Sequence, residues 1–255
     1  MADSDSHRQV IELFHLEFLR LLCVGPDKAA FALKGGCNLR FFFGSVRYSE
    51  DMDLDVTRIP RHVLKGKVEK ILDSTALKVR LQSRAIAVGP WSAPKQTDTT
   101  QRWKVQLGVA NRALGLHTKI ELSRRASNEE ANVEPVTTEI LAEHKLMPLL
   151  VPHYSLAPAL RQKVLALVGR REVQARDVFD LNVLLAKAGT DLMALKPIRN
   201  KLDAAGKRAL ELTFDAYQAQ VVSYLKPEHI DAFGTREAWE AMQLRVVEAL
   251  EQAAR

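Results

Sequence analysis

Three aspartates at two-residue spacing are the residues of this chain best suited to chemistry. Asp51, Asp53 and Asp55 alternate with Met52, Leu54 and Val56. In a β-strand, whose side chains point to opposite faces in turn, that pattern puts three carboxylates on one side and three apolar groups on the other. Carboxylates held so close repel one another, and in a low-dielectric site a proton or a divalent cation relieves the repulsion. Hard oxygen ligands at this spacing suit Mg2+ or Mn2+. A calcium loop is excluded on detail: the sixth position is Val56, where glycine is needed, and the twelfth is His62, where a bidentate glutamate belongs. A solvated loop is the bland alternative, and what lies upstream weighs against it.

Upstream, the apolar run Phe31-Ala32-Leu33 ends in Lys34-Gly35-Gly36, followed by Cys37-Asn38-Leu39-Arg40. A strand, a glycine pair and the start of a helix let backbone N–H groups approach phosphate oxygens closely. The spacing matches neither the Walker loop nor the dinucleotide fingerprint. Paired with an acidic strand just downstream, such a cradle is the equipment for two-metal phosphoryl or nucleotidyl transfer. A second acidic strand is expected at Lys119-Ile120-Glu121-Leu122-Ser123, where period two puts Lys119, Glu121 and Ser123 on one face. Glu121 can then lie beside the aspartate strand as a third acid, the plainer reading being a solvent-facing glutamate.

The elements needed to position these groups follow from hydrophobic spacing. Helices are expected at 7–23, from Cys37, and at 60–73 with Val63, Val68, Ile71 and Leu72 inward; strands at 30–34, 51–56, 77–81, 102–107 and 117–125; and loops at 89–94 and 95–101. After an apolar connector at 147–152 the pattern turns helical, with helices at 157–168, 177–187, 191–202 with a break at Pro197, 208–225 and 236–254. The expected architecture is a mixed-sheet α/β (α+β) domain over residues 1–145 followed by a helical domain over 146–255.

Composition narrows the class. With 255 residues, 47% of them hydrophobic, and a net charge of +6, the chain reads as globular and basic, which favours an acidic partner such as nucleic acid. No apolar run has the length of a membrane span, and the polar start lacks a signal peptide's pattern, so a cytoplasmic protein is expected. Cys23 and Cys37 have neither metal-ligand spacing nor disulfide density, and read as reduced core residues.

Lys34-Gly35-Gly36, Leu39, Gly44, Arg47, Ser49 and Asp51-Met52-Asp53 together resemble the signature of the AbiEii/AbiGii-type nucleotidyltransferase toxins, within the DNA polymerase β-like superfamily. Gln162-Lys163 followed by Arg176-Asp177-Val178-Phe179-Asp180-Leu181 resembles that branch's second motif. The resemblance implies a toxin of a toxin–antitoxin or phage-defence pair, with a cognate antitoxin protein as partner, transferring a nucleotide from a nucleoside triphosphate to an RNA acceptor, the 3′ end of tRNA. Asp51 and Asp53 are then the metal ligands, with Asp55 or Glu121 completing the set. Lys34, Gly35, Gly36, Arg47 and Ser49 meet the triphosphate, Lys163 adds positive charge, and Asp177 is needed for activity. Two other classes of function stand against this one: a catalytically spent RNA- or protein-binding module of the same fold, and a metal-dependent phosphohydrolase.

Overall fold

The computed structural model describes residues 2–109, 114–124, 129 and 131–255. Arg125, the end of one expected strand, lies outside them. The chain divides into two compact units: one holds the residues up to Phe42 together with Ser49–Tyr154, the other Phe43–Tyr48 and Ser155–Arg255.

The first unit is built on seven strands: β1 (Phe31–Lys34), β2 (Asp51–Val56), β3 (Ile86–Gln96), β4 (Thr100–Val109), β5 (Leu116–Ser123), β6 (Ala131–Pro135) and β7 (Leu150–Tyr154). They form one mixed sheet in the order β3-β4-β5-β2-β1-β7-β6. The acidic strand β2 is central, antiparallel to β1 and parallel to β5. Its register is set by burial. Met52 and Leu54 are fully buried beside Leu33, Ile120, Leu122 and Trp103, and a slip of one residue would exchange them for carboxylates. Each such side chain contributes roughly 1.5–3 kcal/mol when buried.

Among the described residues five α-helices accompany the sheet: α1 (Ala2–Leu22), α2 (Gly35–Phe42), α3 (Arg61–Asp73), α4 (Thr75–Gln82) and α5 (Thr138–Glu143). Helix α1 sends Phe14, Phe18, Leu19 and Leu22 into the core that β2 and β5 share. In α3 Val68, Ile71 and Leu72 are buried as expected, together with Leu64, while Val63, expected inside, is half exposed.

Several segments of the first unit differ from the sequence reading. Residues 77–81 form α4 rather than a strand: Ser74 caps the helix by accepting from the Leu77 amide, and Leu77 and Leu81 are buried while Val79 is exposed. A strand would have put all three on one side. The expected loop at 89–94 lies inside β3, which tolerates Gly89, Pro90 and Pro94 because it is an edge strand whose pairing with β4 shifts register between Val88 and Trp91 and again between Ser92 and Lys95. The apolar connector contains β7, parallel to β1.

The second unit has no strand among the described residues. It comprises α6 (Leu156–Gly169), α7 (Ala175–Ala188), a 3-10 turn at Met193–Lys201, α8 (Leu202–Leu210), α9 (Phe214–Gln220), α10 (Pro227–Phe233) and α11 (Arg236–Ala254). Leu160, Val164 and Leu167 of α6, Phe179, Leu181 and Leu184 of α7, and Trp239, Met242 and Val246 of α11 are all buried. Pro197 lies within the 3-10 turn, and the helix expected over 208–225 is interrupted before Thr213, which caps α9 by accepting from the Ala216 amide. The short Phe43–Tyr48 segment is tied to this unit by the Tyr48 amide, which donates to the Tyr224 carbonyl at 3.0 Å. A mixed α/β sheet followed by helices is the architecture the sequence implies. Among the described residues no helix is long and apolar enough to cross a membrane.

Candidate active site

The site grows from the turn between β1 and α2. Gly35 has φ +67°, a left-handed conformation that side chains disfavour, and a Cβ placed there would lie 3.1 Å from Asp53 Oδ2. The glycine therefore lets the start of α2, Gly35 and Gly36, approach the Asp53 carboxylate closely. Cross-strand pairing then lines up a row of charges: Lys34 opposite Asp53, Asp53 opposite Glu121, Glu121 opposite Arg102. The neighbouring row runs from Asp51 to Lys119 to Lys104.

Each flanking acid has its own cation. Lys119 Nζ lies 2.8 Å from Asp51 Oδ2. Arg102 grips Glu121 Oε2 through Nη2 at 2.6 Å and Nε at 2.7 Å. Asp55 is buried, ion-paired with Lys34, and accepts a 2.8 Å hydrogen bond from the Tyr154 hydroxyl. Asp53 differs. Lys119 and Lys34 act on it only through space, since the first is paired with Asp51 and the second with Asp55. Burial pushes its carboxyl above the usual range, those two lysines pull the other way, and Asp51 and Glu121 reinforce the rise. Among the described residues Asp53 forms no ion pair, and a partly buried carboxylate so placed beside a second carboxylate is a place for a cation.

Among the described residues no group of three or more His, Cys, Asp or Glu is arranged to hold a metal ion. Mg2+ needs no such cage, because it binds through one or two carboxylates and completes its shell with water and substrate phosphates. The Asp51–Asp53 pair, all oxygen and next to an amide-rich turn, fits that requirement.

Behind the acids, side chains hold the start of β2 by its backbone. Thr118 Oγ1 donates to the Glu50 carbonyl at 2.6 Å, Ser49 Oγ to the Asp51 carbonyl at 2.8 Å, and Cys37 Sγ to the same carbonyl at 3.3 Å. His15 of α1 completes the set, with Nε2 2.7 Å from Thr118 Oγ1 and Nδ1 3.5 Å from Cys37 Sγ. Burial holds the imidazole pKa down at about 4, against the pull of Asp51 and Glu12, so His15 is neutral and its Nε2–H is free to donate to Thr118. Burial likewise raises the Cys37 thiol, which is an unreactive packing group.

The second unit carries its own buried cluster. Lys163 of α6 lies 2.6 Å from Asp180 Oδ2 and 3.2 Å from Asp177 Oδ1, both on α7. Arg47 Nη2 is 3.2 Å from each oxygen of Asp180, and Arg170 Nε is 2.9 Å from Asp177 Oδ2. Three cations thus face two carboxylates. Burial pulls the Lys163 pKa down, but Asp180 and Asp177 outweigh it and the ammonium ends above its ordinary value. Burial likewise opposes ionisation of Asp180, but Arg47 and Lys163 prevail and hold it below the carboxylate range. Spacing explains the arrangement: Asp177 and Asp180, three apart on α7, share one face.

The model of the family described as "Nucleotidyl transferase AbiEii toxin, Type IV TA system" matches residues 17–254. This chain belongs to the AbiEii nucleotidyltransferase toxin family. It is a nucleotidyltransferase of the toxin class. Among solved structures its fold is similar to that of JHP933 from Helicobacter pylori, at 18% identity and TM-score 0.61, with 100% of this chain and 93% of that one covered. It is also similar to MenT4, a nucleotidyltransferase toxin from Mycobacterium tuberculosis, at 18% identity and TM-score 0.64, with 98% and 89% covered. A comparison with curated proteins finds no match.

In this AbiEii-family enzyme the first unit brings together Lys34, Gly35, Gly36, Ser49, Asp51, Asp53, Asp55 and Glu121, while Arg47, Lys163 and Asp177 meet in the second. Sequence reasoning assigned no role to Lys119, Arg102, Tyr154 or Asp180. For Lys119 the signal was present, since period two sets it on the face of Glu121. Asp180 sat one helical turn from Asp177. Tyr154 and Arg102 had no local signal, because their partners Asp55 and Glu121 lie far away in the sequence.

Proposed function

We propose that this toxin transfers a nucleotide from a nucleoside triphosphate to the 3′ end of a tRNA in a Mg2+-dependent reaction. The observation that supports the reading is the Asp53 carboxylate, without an ion pair among the described residues, held against Gly35 at the start of α2 with Asp51 beside it. Asp51 and Asp53 hold the metal, which when bound neutralises charge on the α-phosphate and on the attacking and leaving oxygens. The amides of Gly35 and Gly36 receive the triphosphate, Ser49 holds the start of β2 beside them through its hydroxyl's bond to the Asp51 carbonyl, and Lys34, oriented by Asp55 and Tyr154, sets a positive charge beside the phosphates. Glu121, fixed by Arg102, is the carboxylate that polarises the acceptor hydroxyl.

Both oxygens of Asp55 are engaged, one by Lys34 and the other by Tyr154, whereas Arg102 takes only Oε2 of Glu121, which favours Glu121 over Asp55 as the third acid. In the second unit the surplus of one cation supports a role for Lys163 and Arg47 toward a negatively charged group, with Asp177 and Asp180 holding them in place. A cognate antitoxin and a cytoplasmic target complete the reading.

The test is incubation with each of the four nucleoside triphosphates labelled at the α-phosphate, Mg2+ and tRNA. Label is expected in the tRNA, lost with EDTA and lost when the tRNA 3′ terminus is oxidised with periodate. No label in any RNA would identify a binding module instead, and free nucleotide with no labelled acceptor would identify a phosphohydrolase.

A further inference from the structure

Among the described residues three cations are ion-paired with the acids of this site, and two of them are held by carboxylates outside the Asp51–Asp53 pair. Lys34 belongs to Asp55 and Arg102 to Glu121. Lys119 alone of the three is ion-paired with a proposed metal ligand, at 2.8 Å from Asp51 Oδ2. Parallel pairing makes the contact a consequence of the fold, since Asp51 and Lys119 are direct register partners on β2 and β5. An ammonium at that distance occupies a lone pair of Oδ2 and so competes with any cation that approaches this oxygen. The pair is also breakable, because the Lys119 side chain is 28% exposed and that of Asp51 39%, and part-exposed pairs of this kind are weak.

We propose that Lys119 is a built-in competitor of the divalent metal. It neutralises Asp51 until a metal ion displaces it, and thereby sets the metal affinity of the site. Once displaced, its ammonium stays on the acid face of the sheet, tethered by β5, where it can pair with the phosphates of the incoming nucleotide. The inference rests on the metal reading above, and it concerns what that metal must push aside.

The experiment is Mn2+ binding to the full chain without nucleotide, read from the electron paramagnetic resonance signal of free Mn2+. Removing the competitor in Lys119→Gln is expected to tighten Mn2+ binding about two- to fivefold, the equilibrium worth of a part-exposed ion pair. Lys104→Gln is the control. Lys104 is the cross-strand partner of Lys119, exposed, and removes the same charge from the same face without touching Asp51. If Lys104→Gln tightens binding as much as Lys119→Gln, the effect is general electrostatics and the displacement idea is wrong. Lys119→Arg keeps the charge and offers Asp51 a two-pronged partner, so it should weaken Mn2+ binding; tightening in that variant would also overturn the proposal. Asp51→Asn separates the two levels of argument. Unchanged Mn2+ affinity in Asp51→Asn sinks the metal reading itself, whereas weakened affinity there with no gain in Lys119→Gln sinks the competitor alone.

Discussion

Substituting Gly35 by alanine separates the cost of a backbone conformation from the cost of moving the Asp53 carboxylate. With φ at +67°, an alanine at this position carries the left-handed penalty of roughly 1–2 kcal/mol. In a unit of this size that lowers the melting midpoint by about 2–8 °C. The second effect is local. The new methyl group would sit 3.1 Å from Asp53 Oδ2, closer than a comfortable contact, so the carboxylate must retreat by a few tenths of an ångström. Since a misplacement of about 1 Å can cost on the order of a hundredfold, kcat should fall on the order of tenfold. Gly25→Ala supplies the comparison, for Gly25 has φ +96° and a Cβ there meets nothing within 4 Å. It should lose stability and keep its rate. The assay is transfer of labelled nucleotide at saturating substrate, paired with a circular-dichroism melt of each variant. A Gly35→Ala enzyme that melts lower yet transfers at the wild-type rate would refute the claim that the turn positions Asp53.

Three further outcomes are expected. Asp53→Asn should abolish transfer, as scored by labelled RNA, while its melting midpoint holds or rises, because it removes a carboxylate that burial and its acidic neighbours Asp51 and Glu121 disfavour; a drop in midpoint would show that the charge serves structure. Asp180→Ala leaves Arg47 and Lys163 facing a buried gap and should cost roughly 3–5 kcal/mol, read as a loss of denaturant resistance. His15 makes stability pH-dependent. Its folded pKa of about 4 lies below the ordinary value of 6.5, so only the unfolded chain takes up a proton between those limits. Its contribution is therefore full above pH 6.5 and is lost as pH falls toward 4, by about 3 kcal/mol in total, and His15→Gln should flatten that slope in urea titrations across the window.

What the chain determines locally is considerable. Alternation in Asp51–Val56 assigns a wet face and a dry face to β2 before any partner is known, and the glycine pair at 35 and 36 marks where backbone must come close to something. Helical spacing placed Lys163, Asp177 and Asp180 on helices whose other faces are apolar. Short apolar runs were ambiguous: Leu77, Val79 and Leu81 alternate like a strand, yet Leu77 and Leu81 are also one helical turn apart, and the Ser74 cap selects the helix. That β3 lies at the sheet edge, and so accepts its prolines, is a property of strand order and cannot be read within the segment itself. The same limit governs the site. Which cation neutralises which acid, Lys119 for Asp51, Arg102 for Glu121, Lys34 for Asp55, depends on the register between strands that are distant in sequence, and Asp53 stands apart only because its neighbours have claimed all three. Periodicity selects the face on which a side chain lies; the pairing of strands selects its partner.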